Sequence, residues 1–177
     1  TAEDSAYSLD ISGNFADVDV GDTLSFAATG MPSTLTMSTS GTLSGTPVNA
    51  DVGAHTIIVT ATDSSSAAGT ITDTFVLTVT NTNDAPTVSS AISDASTAED
   101  SAYSLDVSGN FADVDATDTL SYAATGMPST LSMSTSGTIS GTPVNADVGA
   151  HTIIVTATDS SSAAATASDT YILTVTN

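Results

Sequence analysis

Apolar and polar residues alternate with a period of two along much of this chain. Every second residue is apolar in residues 7–12 (Tyr-Ser-Leu-Asp-Ile-Ser), and the longer runs His55–Asp63 and Phe75–Asn81 are rich in β-branched residues. Such alternation turns one face of a strand to a core and the other to water. Clusters of Gly, Pro, Asn and Asp separate the runs, and no stretch carries a capped helical period. The pattern therefore predicts short strands joined by turns.

The sequence also repeats itself. Residues 1–81 align without a gap on residues 97–177; eleven of these 81 positions differ, so 70 are identical. Segment 82–96 occurs once, between the two copies. Such self-similarity is typical of a tandem array. About seven short strands per repeat, without cysteine, predict a Greek-key β-sandwich of immunoglobulin-like architecture.

The repeat predicts an all-β chain of two tandem β-sandwich domains. We expect the first domain at residues 1–81, a linker at residues 82–86 and the second domain at residues 87–177. Pro86–Asp94 is expected to supply the first strand of the second domain. The first domain would then lack that strand and leave a sheet edge exposed.

The charge of the chain limits the classes of partner that it can bind. The chain has no Lys and no Arg against 20 acidic residues, a formal charge of −20. Nucleic acids and anionic membranes both recruit cationic side chains, so neither is expected as a partner. A hydrophobic content of 40% is enough to build cores. No apolar run reaches the roughly 20 residues of a membrane span, and no signal peptide opens the sequence. The partner that such a surface favours is a hard cation such as Ca²⁺, which takes oxygen ligands.

Acidic residues gather at the expected strand ends and turns, and there the chain resembles a known family. Val79-Thr-Asn-Thr-Asn83-Asp84-Ala-Pro86 is similar to the cadherin linker, and Phe15-Ala-Asp17-Val-Asp19-Val-Gly-Asp22 to the cadherin Asp-x-Asp turn. Val59-Thr-Ala-Thr-Asp63 resembles the Ala-x-Asp motif of a late strand. Both copies therefore resemble the bacterial cadherin-like, dystroglycan-type and immunoglobulin-like tandem repeats of large surface adhesins.

This resemblance implies Ca²⁺ held between successive domains. Carried over position by position, the junction would use Glu3, Asp51, Asn81, Asn83 and Asp84 with Asp113, Asp115 and Asp159. Half-sites would remain at Asp17, Asp19 and Asp63 and at Glu99 and Asp147. The sequence departs from the family pattern at Asn81, where an aspartate is usual, and Asp51 stands without the usual glutamate of its motif. Fewer ions, one or two, are therefore expected at the junction than in a cadherin.

The predicted function is mechanical: a Ca²⁺-rigidified spacer of a secreted, cell-surface adhesin, monomeric as a fragment and joined to neighbouring repeats of its own chain. The sequence predicts that the chain is not an enzyme, because it contains neither a nucleophile elbow nor a phosphate-binding loop. His55 and His151 are interpreted as strand-edge residues. A carbohydrate-binding module that recognises polysaccharide is the alternative. Homophilic adhesion is a third hypothesis, which the charge of −20 opposes until cations neutralise it.

Overall fold

The computed structural model describes residues 1–19, 21–65 and 67–177, and its regular elements are strands and single turns of 3-10 helix. Its contacts divide the chain into two compact units, Thr1–Thr82 (unit 1) and Asn83–Asn177 (unit 2). No helix in the described part of the chain is long and apolar enough to cross a membrane.

Unit 1 is built from two antiparallel sheets. Its strands are β1 (Tyr7–Asp10), β2 (Leu24–Thr29), β3 (Leu35–Met37), β4 (Thr42–Gly45), β5 (Gly53–Asp63) and β6 (Thr70–Val79). One sheet has the order β1-β4-β3 and the other β2-β5-β6. A parallel bridge between Ala2 and Thr80 lies just beyond β6. Both sheets contribute to one core, so the unit is a two-layer sandwich.

Unit 2 repeats this plan with three additional short strands. Its strands are β7 (Thr87–Val88), β8 (Ala95–Ala98), β9 (Tyr103–Asp106), β10 (Phe111–Ala112), β11 (Ser121–Thr125), β12 (Leu131–Met133), β13 (Thr138–Gly141), β14 (Gly149–Thr158) and β15 (Thr166–Thr176). The two larger sheets have the orders β12-β13-β9 and β11-β14-β15-β8. β8 pairs with β15 in parallel, whereas β7 pairs with β10 in an antiparallel two-stranded sheet.

The period-two pattern produces both cores. In β5, Ile57, Val59 and Ala61 are buried, while the residues between them face outward. Leu43 of unit 1 and the equivalent Ile139 of unit 2 are completely buried. The prediction of an all-β sandwich is therefore confirmed in both copies.

The predicted turns are tight and depend on glycine in one repeated position. Gly30 has φ of 75°, and a Cβ there would lie 2.1 Å from the carbonyl oxygen of Thr56. Gly126 is in the same position in unit 2, with φ of 79°. Only glycine fits where the backbone takes a left-handed conformation against a neighbouring strand.

Segment 82–96 forms less strand than the sequence predicts. Only Thr87–Val88 and Ala95–Ala98 are strands, and between them the chain leaves β10 and reaches β15. Ile92 is buried in the core of unit 2 at this crossing. Because the segment changes its pairing partner, it cannot remain one continuous strand.

Candidate metal site

The Asp-x-Asp turn of unit 2 lies in the loop between β10 and β11. Oδ1 of Asp113 accepts a hydrogen bond from the N–H of Asp115 (2.9 Å), and the N–H of Asp118 donates to the carbonyl of Asp115 (2.9 Å). An aspartate that accepts from the backbone two residues ahead forms such a turn readily. The turn brings three carboxylates into one short loop.

A fourth carboxylate, Asp159, directly follows β14 and is buried. Its Oδ1 accepts from the N–H (3.1 Å) and the hydroxyl (2.8 Å) of Ser161. The N–H of Ala165 lies 3.2 Å from each of its oxygens. A hydrogen bond from the Asn83 side chain is the main reason that the pKa of Asp159 is below its ordinary value. The carboxylate is therefore charged at neutral pH.

Asn83 and Asp84 bind both acidic loops of unit 2. The Nδ2 of Asn83 donates to Oδ2 of Asp159 (3.0 Å) and to the carbonyl of Asp84 (3.1 Å). The N–H of Asp84 donates to Oδ2 of Asp115 (2.8 Å). The Asn-Asp pair thus ties the loop after β10 to the loop after β14.

These contacts produce a convergent set of oxygen atoms. One carboxylate oxygen from each of Asp113, Asp118 and Asp159 lies within 4.8 Å of the others. Oδ2 of Asp113 and Oδ1 of Asn83 are buried and have no hydrogen-bond partner among the described residues. A buried oxygen without a partner costs free energy, and a bound cation would remove that cost.

The donor set fits a hard divalent cation. It consists only of carboxylate and amide oxygens, which Ca²⁺ prefers, and offers no imidazole or thiolate. The whole sequence contains no Lys or Arg that could neutralise the cluster from within. Among the described residues, hydrogen-bond donors and not cationic side chains face these carboxylates, so the cluster could hold a metal ion.

Unit 1 contains the same side chains in a more open arrangement. The N–H of Asp19 again donates to Oδ1 of Asp17 (2.9 Å), and the hydroxyl of Ser65 donates to Oδ1 of Asp63 (2.6 Å). Asp17 and Asp19 are exposed, however. Among residues 1–19, 21–65 and 67–82, no three acidic or histidine side chains converge as closely as those of unit 2.

The remaining residues of the predicted junction differ in their surroundings. Glu3 is completely buried; its Oε1 accepts from the N–H of Thr82 (2.9 Å), and its Oε2 has no hydrogen-bond partner in the described part of the chain. Asn81 is exposed. Glu99, the equivalent of Glu3, is half-buried.

The carboxylates of Asp51 and Asp147 are used inside their units. Oδ1 of Asp51 accepts from the N–H of Ser33 (3.1 Å), and its Oδ2 accepts from the hydroxyl of Thr34 (2.6 Å) and the N–H of Val48 (3.2 Å). Thr34 contributes most to lowering the pKa of Asp51.

The contacts of Asp147 repeat this arrangement in unit 2. Its Oδ2 accepts from the hydroxyl of Thr130 (2.6 Å) and the N–H of Val144 (3.0 Å). The structure thus gives both aspartates a capping role, and their role as metal ligands stays a prediction.

The two histidines cap the same turns. Nε2 of His55 donates to the carbonyl of Asp51 (2.7 Å), and Nε2 of His151 donates to the carbonyl of Asp147 at the same distance. Each histidine therefore fixes the turn that precedes its own strand.

Asp118 is the residue that the sequence interpretation missed. It lies five residues after Asp113, and the hydroxyl of Ser160 donates to its Oδ1 (3.1 Å). The available signal was the third carboxylate of the Asp-x-Asp-x-x-Asp run. The resemblance assigned ligand roles to the first two carboxylates of this run and none to the third.

Comparison with known families identifies the repeat. The family model described as "Putative Ig domain" (He_PIG) matches residues 1–80 and again residues 85–176. The chain belongs to this family. The expected tandem Ig-like repeats are therefore confirmed, one in each unit. No curated protein matches the chain.

Solved cadherin structures share the fold of these Ig-domain repeats. Protocadherin gamma B2 extracellular domains 1–5 match at a TM-score of 0.62 and 17% identity, over 87% of this chain and 33% of that one. Human mucin-like protocadherin domains 1–2 match at 0.61 and 18% identity, over 90% of this chain and 86% of that one. At these identities the match shows the fold, which is cadherin-like.

An endo-fucoidan hydrolase from glycoside hydrolase family 107 is also similar, at 23% identity and a TM-score of 0.44. The match covers 99% of this chain and 27% of the hydrolase, so the chain spans about a quarter of its length.

Proposed function

We propose that this chain is a Ca²⁺-binding spacer segment of a large extracellular adhesin. The observation that carries the proposal is the convergence of Asp113, Asp118 and Asp159 within 4.8 Å, in a sequence without a single Lys or Arg. Two partnerless buried oxygens, on Asn83 and Asp113, support a cation at the same place.

Ca²⁺ would be held by the carboxylates of Asp113, Asp118 and Asp159, with the side-chain oxygen of Asn83 as a further donor. When bound, the cation supplies positive charge and no chemical reaction. Asn83 now presents its amide nitrogen to Asp159. Rotating the side-chain amide by half a turn would exchange that nitrogen for the oxygen. Asn83 could therefore donate a hydrogen bond to Asp159 when the site is empty and offer an oxygen ligand when a cation is bound.

The site lies beside the division of the chain. Asn83, the first residue of unit 2, directly follows Thr82, whose N–H donates to Glu3 of unit 1. A cation that fixes Asn83 and Asp84 would therefore restrict the backbone at the point where the two units join. Restricting the join would stiffen a tandem array, which is what a spacer requires.

The occupancy of the Ca²⁺ site would also differ between the outside of the cell and the cytosol. Extracellular Ca²⁺ modules typically bind at about 10⁻⁴–10⁻³ M, so such a site fills outside the cell and stays empty in cytosol. The resemblance to surface adhesins supports an extracellular location for the chain, with neighbouring repeats as its partners. The prediction that it is not an enzyme is part of this proposal.

The direct test is Ca²⁺ titration of the whole chain by calorimetry, with Asp159→Asn and Asp63→Asn as matched variants. These aspartates occupy the same position in the two units. We expect submillimolar binding that Asp159→Asn weakens at least tenfold and Asp63→Asn changes by less than about threefold. Thermal unfolding in EDTA checks that both variants remain folded. Absence of binding at 10-fold above the extracellular range, or equal loss in both variants, would contradict the proposal.

The spacer role needs a separate measurement. Small-angle scattering of the chain in Ca²⁺ and in EDTA reports its maximum dimension and its range of conformations. We expect a longer, less variable particle in Ca²⁺ and no such change for Asp159→Asn. Binding without any change in dimensions would leave a Ca²⁺ site and remove the mechanical role.

The carbohydrate-binding alternative gains no support. Sugar-binding surfaces usually present exposed aromatic rings, and all eight aromatic residues of this chain, each in the described part, are buried or half-buried.

A further inference from the structure

Unit 1 contains an open groove where unit 2 is covered. The groove has a volume of about 290 Å³ and is lined by residues of the first acidic loop, β2, β5 and β6, among them Ala16, Asp17, Leu24, Ala61, Asp63 and Ile71. No strand pairs with Phe15–Ala16 among the described residues. The apolar wall of unit 1 is thus accessible beside an unpaired stretch of backbone.

In unit 2 the equivalent surface is covered by residues 83–94 of the same chain. Thr87 and Val88 pair with Ala112 and Phe111, the counterparts of Ala16 and Phe15. Pro86 is buried at this end of the segment. Asn110, the counterpart of Asn14, accepts from the N–H of Ser89 (2.9 Å) through its carbonyl oxygen.

The second half of the segment lies on β15. Ile92 enters the core, and its N–H donates to Oδ2 of Asp169 (2.6 Å). Oδ1 of Asp94 accepts from the N–H of Ile172 (2.8 Å). The counterparts of these β15 residues in unit 1 are Asp73 and Val76, and both are exposed.

Exposure follows the presence of the segment. Val76 is 61% exposed, whereas the equivalent Ile172 is 42% exposed although it is larger. Phe15 and Phe75 are half-buried, while their counterparts Phe111 and Tyr171 are buried. The uncovered face of unit 1 therefore retains the apolar surface that the segment removes from water in unit 2.

We infer that the groove of unit 1 is a docking site for an extended segment with the chemistry of residues 83–94, supplied by another repeat of the same kind. The 70 identical positions keep the receiving surface nearly unchanged between the units. Such a segment would pair with Phe15–Ala16, place its proline and isoleucine on the apolar wall, and offer an Asn side chain to Asp63. This is strand addition to an open edge, with side-chain pockets that set the register.

A synthetic peptide of residues 82–96, titrated into the whole chain in EDTA, tests this inference independently of Ca²⁺. The tethered segment of unit 2 is favoured over a free peptide by its effective concentration, so unit 1 is the expected receptor. We expect one peptide per chain, with amide NMR shifts at Phe15, Ala16 and Val76 and none at their unit 2 counterparts.

Two matched variants locate the binding. Ala16→Pro removes one backbone N–H at the receiving edge, where Phe15 already has an extended conformation that a following proline accepts. It should weaken peptide binding at least tenfold without lowering the stability of unit 1. In the peptide, Ile92→Asp should weaken binding by a similar factor. Equal binding of a scrambled peptide, binding unaffected by Ala16→Pro, or no binding would overturn the inference.

Register gives a second readout. The natural chain has no cysteine, so Ala16→Cys with a Thr87→Cys peptide contains only the two engineered thiols. The pairing of Ala112 with Thr87 predicts that these residues lie opposite each other, within reach of a disulfide. A Val88→Cys peptide should crosslink at least fivefold more slowly, and equal rates would contradict the register.

Discussion

The two units share 70 of 81 aligned residues, yet the aspartates of their acidic loops differ in burial and in how closely their carboxylates approach one another. In unit 2, Asp115 and Asp159 are buried, and Asp159 converges with two further carboxylates. In unit 1, the equivalent Asp19 is exposed and Asp63 is only half-buried. The local turns are the same in both. Two features differ: the loop sequence, in which Ala116 and Thr117 replace Val20 and Gly21, and the segment that begins at Asn83, which contacts both acidic loops of unit 2.

The largest effect is expected from the apolar anchor of that segment. Ile92→Ala deletes a side chain buried in the core of unit 2, which typically costs about 2–5 kcal/mol. Amide hydrogen exchange in EDTA, read separately for each unit, should show unit 2 destabilised and unit 1 unchanged. Val76→Ala is the control, because that side chain is 61% exposed and should change stability by less than about 0.5 kcal/mol. A similar loss in both units would mean that the segment does not distinguish them.

A second prediction concerns acid, and here the units should behave alike. The hydrogen bond from Thr130 is the main cause of the lowered pKa of Asp147, and the one from Thr34 lowers the pKa of Asp51. A carboxyl with a lower pKa in the folded state binds fewer protons there. It therefore contributes stability above its unfolded pKa of about 3.9, which is lost as pH falls through the folded value.

Urea unfolding of Asp147→Asn and Asp51→Asn checks that sign. The stability lost by each variant should be constant between about pH 5 and 7 and should shrink below about pH 4. A loss that stays unchanged in strong acid would show that the charge of these carboxylates is unimportant.

Two tyrosines of unit 2, Tyr122 and Tyr171, replace phenylalanines of unit 1 and give a matched pair of variants. The hydroxyl of Tyr122 donates to the carbonyl of Ser108 (3.0 Å), so Tyr122→Phe should cost about 1 kcal/mol. The hydroxyl of Tyr171 is buried and makes no hydrogen bond of good geometry in the described part of the chain; burial, and next the Tyr103 hydroxyl beside it, raise its pKa. Tyr171→Phe should therefore leave stability unchanged or raise it by up to about 1 kcal/mol. Equal losses in thermal unfolding would contradict this distinction.

The smallest effect is expected at Gly69, the counterpart of Ala165. A Cβ at Gly69 would lie 2.7 Å from Oδ2 of Asp63, the end of a side chain that can move. Gly69→Ala should stabilise unit 1 by no more than about 1 kcal/mol, through the reduced entropy of the unfolded chain. A loss above about 2 kcal/mol in urea unfolding would show that Asp63 cannot shift.

The strands and turns could be predicted because they depend on local pattern. Alternation in His55–Asp63 predicted a strand with one buried face, and Ile57, Val59 and Ala61 of β5 form that face in the structure. The acidic site could be predicted only in part. Asp118 meets Asp159 across forty residues of sequence, and that contact depends on how two loops pack. The hydrogen bonds that Asp51 accepts from Ser33, Thr34 and Val48 could not be predicted either, and its role as a metal ligand stays a prediction.

The parallel pairing of β8 with β15 has a consequence for tension. β15 is the last strand of unit 2 and β8 its second, and Leu173–Thr176 runs alongside Ala95–Ala98 in the same direction. Pulling the two ends of the unit apart would slide the strands past each other, loading their hydrogen bonds together instead of one at a time. The same geometry begins in unit 1 at Ala2 and Thr80. Each repeat would therefore resist stretching by shear, which suits a chain held at one end and pulled at the other.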